Sequence, residues 1–400
     1  MTAELITIAE ARHRVIEATP RLPTEAVALT GVPLGRVLTE DVVAAGDTPP
    51  FPSSAMDGYA VQAGAAGREL VLVGESRAGE PTSQSLKDGQ AIRISTGGAV
   101  PSGADAVIRQ EDVERRDGRI VTGTEIAAGE NVRLTGEDMR AGTLVLAAGA
   151  RLGPAEIAAA VGAGAGLVTV SCQPRCSVLC TGDELREPGS TLAPGQIHNS
   201  NGPMLEALAR EAGAQVPVPD RLPDDRAATI AGLERALAGS DVVVVAGGVS
   251  VGPHDHVKPA LQALGVSERF WGVALQPGKP TWFGTLGDKL VFGLSGNPVS
   301  AFVTFWLFVS AALDGLQGTA PPRQVSYARL GASVRRNSRR EQAIRVRLAG
   351  DDERRVAIPN GPQGSHIVSS LLGADALALI PPGDGELAAG ELVELVSLRR

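Results

Sequence analysis

Only three cysteines, Cys172, Cys176 and Cys180, occur in 400 residues. That is no disulfide framework, so a packed core and a reducing compartment are expected. Aromatics make up 3% of the chain, which leaves Val, Leu, Ile and Ala to build that core. Lysine is scarce: four of the 37 basic residues. Acids outnumber bases and the net charge is −8, so the chain lacks the basic footprint of a non-specific nucleic-acid binder. A local anion site remains open to it. The first twenty residues hold no apolar stretch of the signal-peptide kind. The most apolar run, Pro298 to Leu313, is shorter than the roughly 20 residues of a membrane span and is interrupted by Ser300, Thr304 and Ser310. It reads as a buried helix, and a soluble cytoplasmic protein with neither nucleic-acid nor membrane partner is expected.

What is plentiful is hydrophobic residues, at 43%, with 49 Gly and 27 Pro. A large core cut by many turns follows, and at roughly 150 residues per domain the chain holds two to four domains. Thr7 and Glu10 fit a capping box opening a helix to about Thr19. Residues 43–142 carry short β-like runs (Glu69–Val73, Gln90–Ile94, Ala106–Gln110, Arg119–Val121) between Gly and Pro. A helix opened by Pro154 follows. From Ser177 the pattern changes: apolar runs at Ser177–Cys180, Gln215–Val218, Asp241–Ala246 and Leu290–Leu294 alternate with helices at Asn201–Gly213, from Asp224 to before Gly239, near Val257–Leu264, and from Asn297-Pro298. Such alternation predicts a parallel, doubly wound sheet covered on both faces. Beyond Thr319 the runs Val325–Leu330, Ala343–Leu348, Arg355–Ile358, Leu377–Ile380 and Leu392–Leu398 predict a small β domain. The expected division is α/β multidomain: 1–42 with 143–175 as a discontinuous linking domain, a β-rich domain at 43–142, a doubly wound α/β domain at 176–318, and a barrel-like β domain at 319–400.

Three strand-to-helix loops carry candidate chemistry, because ligands of such sheets bind outside the carboxyl ends of the strands. Thr181-Gly182-Asp183-Glu184-Leu185 offers two adjacent carboxylates for a hard cation such as Mg²⁺, or is simply a solvated acidic turn. Gly247-Gly248-Val249-Ser250 lets backbone N–H groups approach an anion; Asp255 just beyond it is a helix cap or a ligand. Asn297-Pro298 opens a helix whose N–H groups and dipole suit an anion, with Ser300 in its first turn. Lys279, between Pro277 and Pro280, is an anion partner or an exposed turn. In the N-terminal half, Asp57, Thr96 and Asp138 sit on loops that residue chemistry alone leaves as turns.

The β domain carries 12 Arg and no Lys from Arg323 to Arg400. Arginine suits planar recognition of oxyanions, although a solvated strand face accounts for most of these residues, including the Arg335, Arg336, Arg339 and Arg340 cluster. The cysteine spacing fits buried thiols better than a zinc or iron–sulfur pattern. Among the five histidines only His254-x-His256, beside Asp255, hints at a metal.

FPSSAMDGYAV, ISTGGAVPSGADAVIRQED, RLTGEDMRAG, TGDEL, AGGVSVGPHDH, PGKP and GLSGNPVSAF, taken together and in this order, resemble the motif series of the molybdopterin molybdenumtransferase (MoeA) family, which includes the gephyrin E domain. The resemblance runs over nearly the whole chain. It implies a four-part subunit, a homodimer, and the region from about Ser177 to Gly318 as the domain shared with molybdopterin adenylyltransferases. It also implies a Mg²⁺-dependent reaction in which adenylylated molybdopterin and molybdate give molybdenum cofactor and AMP. On that resemblance Asp183, Glu184 and Asp255 hold the metal. Gly247, Gly248, Ser250, Lys279, Asn297, Pro298 and Ser300 cradle phosphates or pterin. Asp57, Thr96 and Asp138 complete the site across the dimer, with Glu184 and Asp255 also catalytic, and Arg345 and Ser365 form the molybdate-binding pair. Molybdopterin adenylyltransferase and proteins that mature molybdoenzymes are the implied partners. The chain departs from the family pattern at Ser295, which replaces a proline, at Gly272 and Gln276, which stand where lysines are usual, and at Asn199, which replaces an aspartate. Two other functions compete: a molybdopterin adenylyltransferase, and a non-catalytic cofactor-binding or scaffold protein.

Overall fold

The computed structural model describes residues 5–218, 220–249, 255–319, 326–351 and 354–398. The chain forms two compact units: Met1–Glu25 with Gly35–Thr39 and Val170–Arg400, and Ala26–Leu34 with Glu40–Thr169. The first unit opens with helix α1 (Ile8–Glu17). Thr7 caps it, its hydroxyl accepting from the Glu10 N–H at 3.1 Å. The Glu10 carboxylate turns forward to Arg14 at 2.7 Å, and Ile8, Ala11 and Val15 are buried.

The second unit is built on six strands: β1 (Gly58–Val61), β2 (Glu69–Ser76), β3 (Gln90–Ile94), β4 (Ala106–Arg109), β5 (Val113–Arg116) and β6 (Arg119–Thr122), in the order β4-β1-β3-β2-β6-β5. Both faces are covered. Tyr59 and Val61 pack with Leu70, Ile108 and Ile120, while Ala60 packs with Leu86, Ile92, Ile94 and Val107 on the other side. Helix α2 (Pro154–Gly162) starts at a proline, as expected, with Glu156 reaching back to the Gly153 N–H at 3.1 Å.

The first unit next forms a six-stranded mixed sheet. Its strands are β7 (Cys176–Thr181), β8 (Asp220–Leu222), β9 (Val242–Ala246), β10 (Ser267–Trp271), β12 (Trp282–Leu286) and β13 (Lys289–Leu294), with a short β11 (Leu275–Gln276) that joins the next sheet. The order is β8-β7-β9-β13-β12-β10. The four strands β8, β7, β9 and β13 are parallel, as the apolar runs predict for β7, β9 and β13. The last two, β12 and β10, run antiparallel at the edge, which the apolar runs do not announce. Alternate residues face opposite ways. Cys176, Val178, Cys180, Val242, Val244, Leu290 and Phe292 pack with helix α3 (Asn201–Glu211), α1 and the helix from Pro298. Leu179, Val243, Val245 and Val291 pack with α4 (Arg226–Gly239) and α5 (Val257–Ala263). Burial pushes the Cys176 and Cys180 thiols up to about 12 and about 11, as inert core groups.

Three expectations need correction. Gln215–Val218 is not a strand; Gln215 makes a single bridge to Arg175, and the edge strand is the polar β8. Asp225, not Asp224, caps α4, accepting from the Ala228 N–H at 2.8 Å. The apolar helix does not stop at Leu313: α6 (Pro298–Thr304), a π-helical turn (Phe305–Val309) and α7 (Ser310–Gln317) make 20 continuous residues, long and apolar enough to cross a membrane but mostly buried inside the protein. It is the central core helix, with Val299, Val303, Phe305, Phe308 and Leu313 at 0% exposure.

The C-terminal strands are β14 (Ser326–Leu330), β15 (Glu341–Ala349), β16 (Val356–Pro359), β17 (Ala376–Ile380) and β18 (Leu392–Ser397). They pair β15-β16-β14-β18-β17 and β17 returns to β15, closing a five-stranded barrel. Ala328, Ile344, Val346, Ala378 and Ile380 fill it.

Gly58 begins β1 where the chain crosses β4, and a Cβ there would overlap the Ile108 carbonyl oxygen. Gly58→Ala should therefore destabilise the second unit by about 2 kcal/mol through forced backbone displacement. A lowered thermal midpoint read by circular dichroism checks this; an unchanged midpoint would contradict the close approach.

Candidate active site

The register of the parallel strands places three loops on one edge. Cys180 of β7, Ala246 of β9 and Leu294 of β13 are laterally aligned, so Gly182–Glu184, Gly247–Val249 and Ser295–Asn297 leave the sheet side by side at the carboxyl ends. They touch. The Gly247 N–H donates to the Leu294 carbonyl at 3.0 Å. A Cβ on Gly247 or Gly248 would lie 2.7 or 3.0 Å from the Thr181 hydroxyl oxygen, and both glycines have positive φ, +96° and +66°. Only glycine fits the loop there.

Asp183 and Glu184 are exposed. Asp183 is tied to Asp224 from the β8–α4 loop by reciprocal 3.3 Å bonds, each backbone N–H donating to the other's carboxylate. The identity of the cap explains this: with Asp225 on the helix, Asp224 faces Asp183. Residue chemistry alone assigned Asp224 to the wrong task; its position two residues beyond a strand end was the available signal. Among the described residues no three His, Cys, Asp or Glu side chains group as metal ligands, so Asp183, Glu184 and the half-buried Asp255 do not form a ready-made set of three. Ser250 and His254 lie outside the described residues. Asn201 is a second residue the sequence signals underused. Its amide donates to the Gly296 carbonyl at 2.8 Å, and its buried Oδ1 has no protein partner.

The start of α6 is not the open anion site its sequence implies. Pro298 has no N–H, Asn297 donates to the Ser295 hydroxyl at 3.2 Å, and the Val299 N–H donates to the Ser365 carbonyl at 3.1 Å. Ser300 is buried, at 3% exposure. The helix end instead holds the Ser365 loop of the barrel. That loop surrounds Arg345, which lies on β15 at 0% exposure. Its Nε and Nη2 donate to the Ser370 hydroxyl at 3.1 and 2.9 Å, and Nη2 also reaches the Pro362 and Gly364 carbonyls, both at 3.3 Å. Nη1 is buried and has no protein partner. Desolvation lowers the guanidinium to about 10, so it remains a cation at neutral pH.

Lys279 is exposed on a loop held from both sides: its carbonyl accepts from Val273 at 3.0 Å and Thr281 at 2.9 Å. The loop lies on α6, since a Cβ on Gly278 would sit 2.5 Å from Thr304 Cγ2. Gln276 Oε1 accepts from the Asn337 amide at 2.6 Å. Gly272 has φ +86°, and a Cβ there would meet Leu5 Cδ2 at 2.8 Å.

In the second unit, the loops that residue chemistry left as turns are stitched together. Ser54 exchanges backbone bonds with Gly98 and Gly97 at 2.9 and 2.8 Å, Ala55 donates to Asn131 at 2.9 Å, and Ser53 and Ser54 pair with Arg133 and Val132. Asp57 Oδ1 accepts from the Thr96 N–H at 2.7 Å and the Thr96 hydroxyl at 3.0 Å. These bonds, the backbone one foremost, hold the Asp57 carboxyl below the usual carboxylate range. A cleft of about 280 Å³ opens beside it, lined by Asp57, Glu75, Arg77, Arg93, Ser95 and Gln110. Asp138 is exposed on its own loop, its N–H donating to Thr48 at 3.0 Å.

Three family models match in chain order: the MoeA N-terminal region (domain I and II) at residues 6–164, the "Probable molybdopterin binding domain" at 177–315, and the MoeA C-terminal region (domain IV) at 327–398. The chain belongs to the MoeA family. MoeA relatives named molybdopterin molybdenumtransferase include one from Haemophilus influenzae, 34% identical over 403 residues and covering 98% of each chain. Another, from Staphylococcus epidermidis, is 34% identical over 371 residues and covers 91% of this chain and 88% of the relative. A solved MoeA structure, the molybdopterin biosynthesis moeA protein from Pyrococcus horikoshii, superposes with a TM-score of 0.78 at 31% identity, covering 98% of this chain and all of that one. The MoeA fold here is thus the mixed α/β architecture, with a β-rich N-terminal region and a closed C-terminal barrel.

The depressed Asp57 carboxyl has a defined sign. The stability its bonds contribute is present above the ordinary carboxylate range and is lost as pH falls through the depressed value. Thr96→Val removes the hydroxyl bond but keeps the backbone one, so Asp57 should titrate higher than in the parent yet below an ordinary aspartate. A ¹³C carboxyl NMR titration reads this directly, and an unmoved midpoint would show that the hydroxyl contributes nothing.

Proposed function

We propose that the chain inserts molybdate into adenylylated molybdopterin with release of AMP, in molybdenum cofactor biosynthesis. The observation that carries this reading is the buried Arg345 guanidinium with an unpartnered Nη1, tied through the Gly364–Ser365 carbonyls to the α6 start at the carboxyl edge of the sheet. Buried guanidinium N–H groups without an acceptor are unfavourable unless a ligand completes them, and a small tetrahedral oxyanion such as molybdate has the charge and acceptors to do so. The names of the nearly full-length relatives favour molybdenum insertion over adenylyl transfer or a scaffold role.

In this reading Arg345 and Ser365 hold the oxyanion. Gly248 offers the phosphates its backbone N–H, Gly247 leaves the loop without a side chain in their way while its own N–H holds Leu294, Ser250 is a further candidate on the same loop, and Lys279 balances their charge. Asn297 and Pro298 wall the crevice, and buried Ser300 acts only as support beneath it. Mg²⁺ usually takes one or two carboxylates and completes its shell with phosphate oxygens and water, which exposed Asp183 and Glu184 suit, with Asp255 as a further carboxylate. When bound, it supplies charge neutralisation at the pyrophosphate as the phosphoanhydride breaks and AMP leaves. We further propose a cytoplasmic homodimer with the four-part subunit, in which Asp57, Thr96 and Asp138 of one subunit complete the site of the other. A molybdopterin adenylyltransferase would supply its substrate and molybdoenzyme-maturation proteins would take its product.

The test is AMP release from adenylylated molybdopterin and Mg²⁺, with and without molybdate. Molybdate-dependent release is expected, and Asp183→Asn or Glu184→Gln should lower it by about 100-fold with folding intact. Molybdate-independent release, or ATP consumption with free molybdopterin, would replace the reading with hydrolysis or adenylyl transfer.

A further inference from the structure

Four charged side chains of the second unit line one cleft: Asp57, Glu75, Arg77 and Arg93. Strand register sets their order. Arg93 of β3 lies opposite Tyr59 of β1 on one side and opposite Glu75 of β2 on the other. Asp57 stands just before β1 and falls on the same face as Tyr59, by the alternation of a strand. Arg77 completes the row, its Nη2 on Glu75 Oε2 at 2.6 Å. Arg93 stays farther off, its Nη1 3.7 Å from Glu75 Oε1, beyond hydrogen-bond distance. Among the described residues the Arg93 guanidinium N–H groups therefore have no hydrogen-bond acceptor. Asp57 and Arg93 are both exposed, so a ligand has only water to displace from them.

The Asp57 carboxylate has one oxygen to offer. Oδ1 is spent on Thr96, which leaves Oδ2 with no donor among the described residues. The two Thr96 bonds, with the Arg93 charge as a smaller cause, keep the carboxyl ionised, so Oδ2 is an acceptor only. The walls are fixed: the Ser95 hydroxyl accepts from the Ala78 N–H at 3.1 Å, and the Gln110 N–H donates to the Asp57 carbonyl at 3.1 Å. The cleft thus sets one free carboxylate oxygen beside one open guanidinium. Its two acids balance its two bases, which suits it poorly to pyrophosphate or molybdate. It suits a neutral group whose donors stand next to an acceptor. At about 280 Å³ it has room for a two-ring heterocycle rather than for the whole of adenylylated molybdopterin.

We infer that this cleft binds the pterin ring of the substrate: Asp57 Oδ2 accepts from its 2-amino and N3–H groups, and the Arg93 guanidinium donates to its O4 carbonyl. These groups stand in a row on the pyrimidinone edge of a pterin, donor, donor, acceptor. Adenine, the other neutral ring of adenylylated molybdopterin, has a single donor group on its edge and would leave one lone pair of Oδ2 unfilled. Arg77 acts through Glu75, holding that carboxylate so that it does not close on Arg93. The inference rests on the reading of adenylylated molybdopterin as the substrate, and it assigns the ring, rather than the phosphates or the metal, to the second unit.

The experiment uses the full chain and two fluorescent probes, free pterin and lumazine, in which a carbonyl replaces the 2-amino group. Binding is read by fluorescence titration and by inhibition of AMP release. Lumazine should bind about tenfold more weakly than pterin, because its added carbonyl faces Oδ2. Arg93→Gln should raise the pterin Kd and the KM for adenylylated molybdopterin about tenfold, with the molybdate KM unchanged. Asp57→Asn keeps Oδ1 for Thr96 and puts an N–H₂ group where Oδ2 was. It should weaken pterin about tenfold and bring lumazine level with it or above; a merely structural role would weaken both alike. Equal affinity for the two rings, no binding of pterin, or pterin binding unmoved in both variants would overturn the inference. So would a shift confined to the molybdate KM, or to competition by AMP. Absent AMP release with the pterin preference intact would remove the reaction and leave the cleft. Molybdate-dependent release with parental KM values in both variants would leave the reaction and remove the cleft.

Discussion

The candidate site of the first unit depends on one geometric constraint: three parallel strands, β7, β9 and β13, buried on both faces and held in lateral register. A strand with apolar side chains on both sides can slip by one residue without exposing a polar face, so hydrophobic pattern alone does not fix its register. The loops do. Gly247 and Gly248 lie against Thr181 with no room for a side chain, and Gly247 donates to Leu294. The glycines that make the site are therefore also what aligns the sheet beneath it.

From that edge a hydrogen-bonded route runs outward. The chain leaves β13, starts α6 at Pro298, and gives its Val299 N–H to the Ser365 carbonyl; the next carbonyl back, Gly364, receives Arg345. The helix N-terminus, which physical chemistry marks as a place for anions, is spent on a backbone carbonyl that carries the same partial negative charge. Its effect is mechanical. It fixes the segment that frames a cation lying on a different sheet. The Trp306 indole donating to the Ser397 carbonyl at 2.7 Å ties the same helix to the barrel a second time.

Much of this was legible in the sequence, and the failures have physical reasons. Continuous apolar runs announced β7, β9 and β13, and the Pro298 start of α6 was correctly placed. The edge strand β8 escaped because Asp220 and Arg221 face solvent and only Leu222 is buried; no apolar run marks such a strand. Asp224 and Asp225 are identical residues in adjacent places, and only the chain's path decides which one caps. Arg345 is one arginine among 12 in its region, and its burial follows from barrel closure by pairs remote in sequence, such as β15 with β17. The Asp57 and Thr96 loops were unreadable for the same reason: what joins them is bonding between segments about 40 residues apart.

The two positions where the family resemblance implies lysine, Gly272 and Gln276, resist that change for different reasons. At Gly272 the backbone lies in the left-handed region and Leu5 fills the space a side chain would need, so a lysine would strain the fold before it could add charge. Gln276 has an ordinary side-chain environment, but its amide oxygen receives Asn337 of the barrel segment, and lysine has no acceptor to replace it. Recharging this crevice by single substitutions is therefore a constrained path: one door is shut by geometry, and the other opens only by giving up a tie between two sheets.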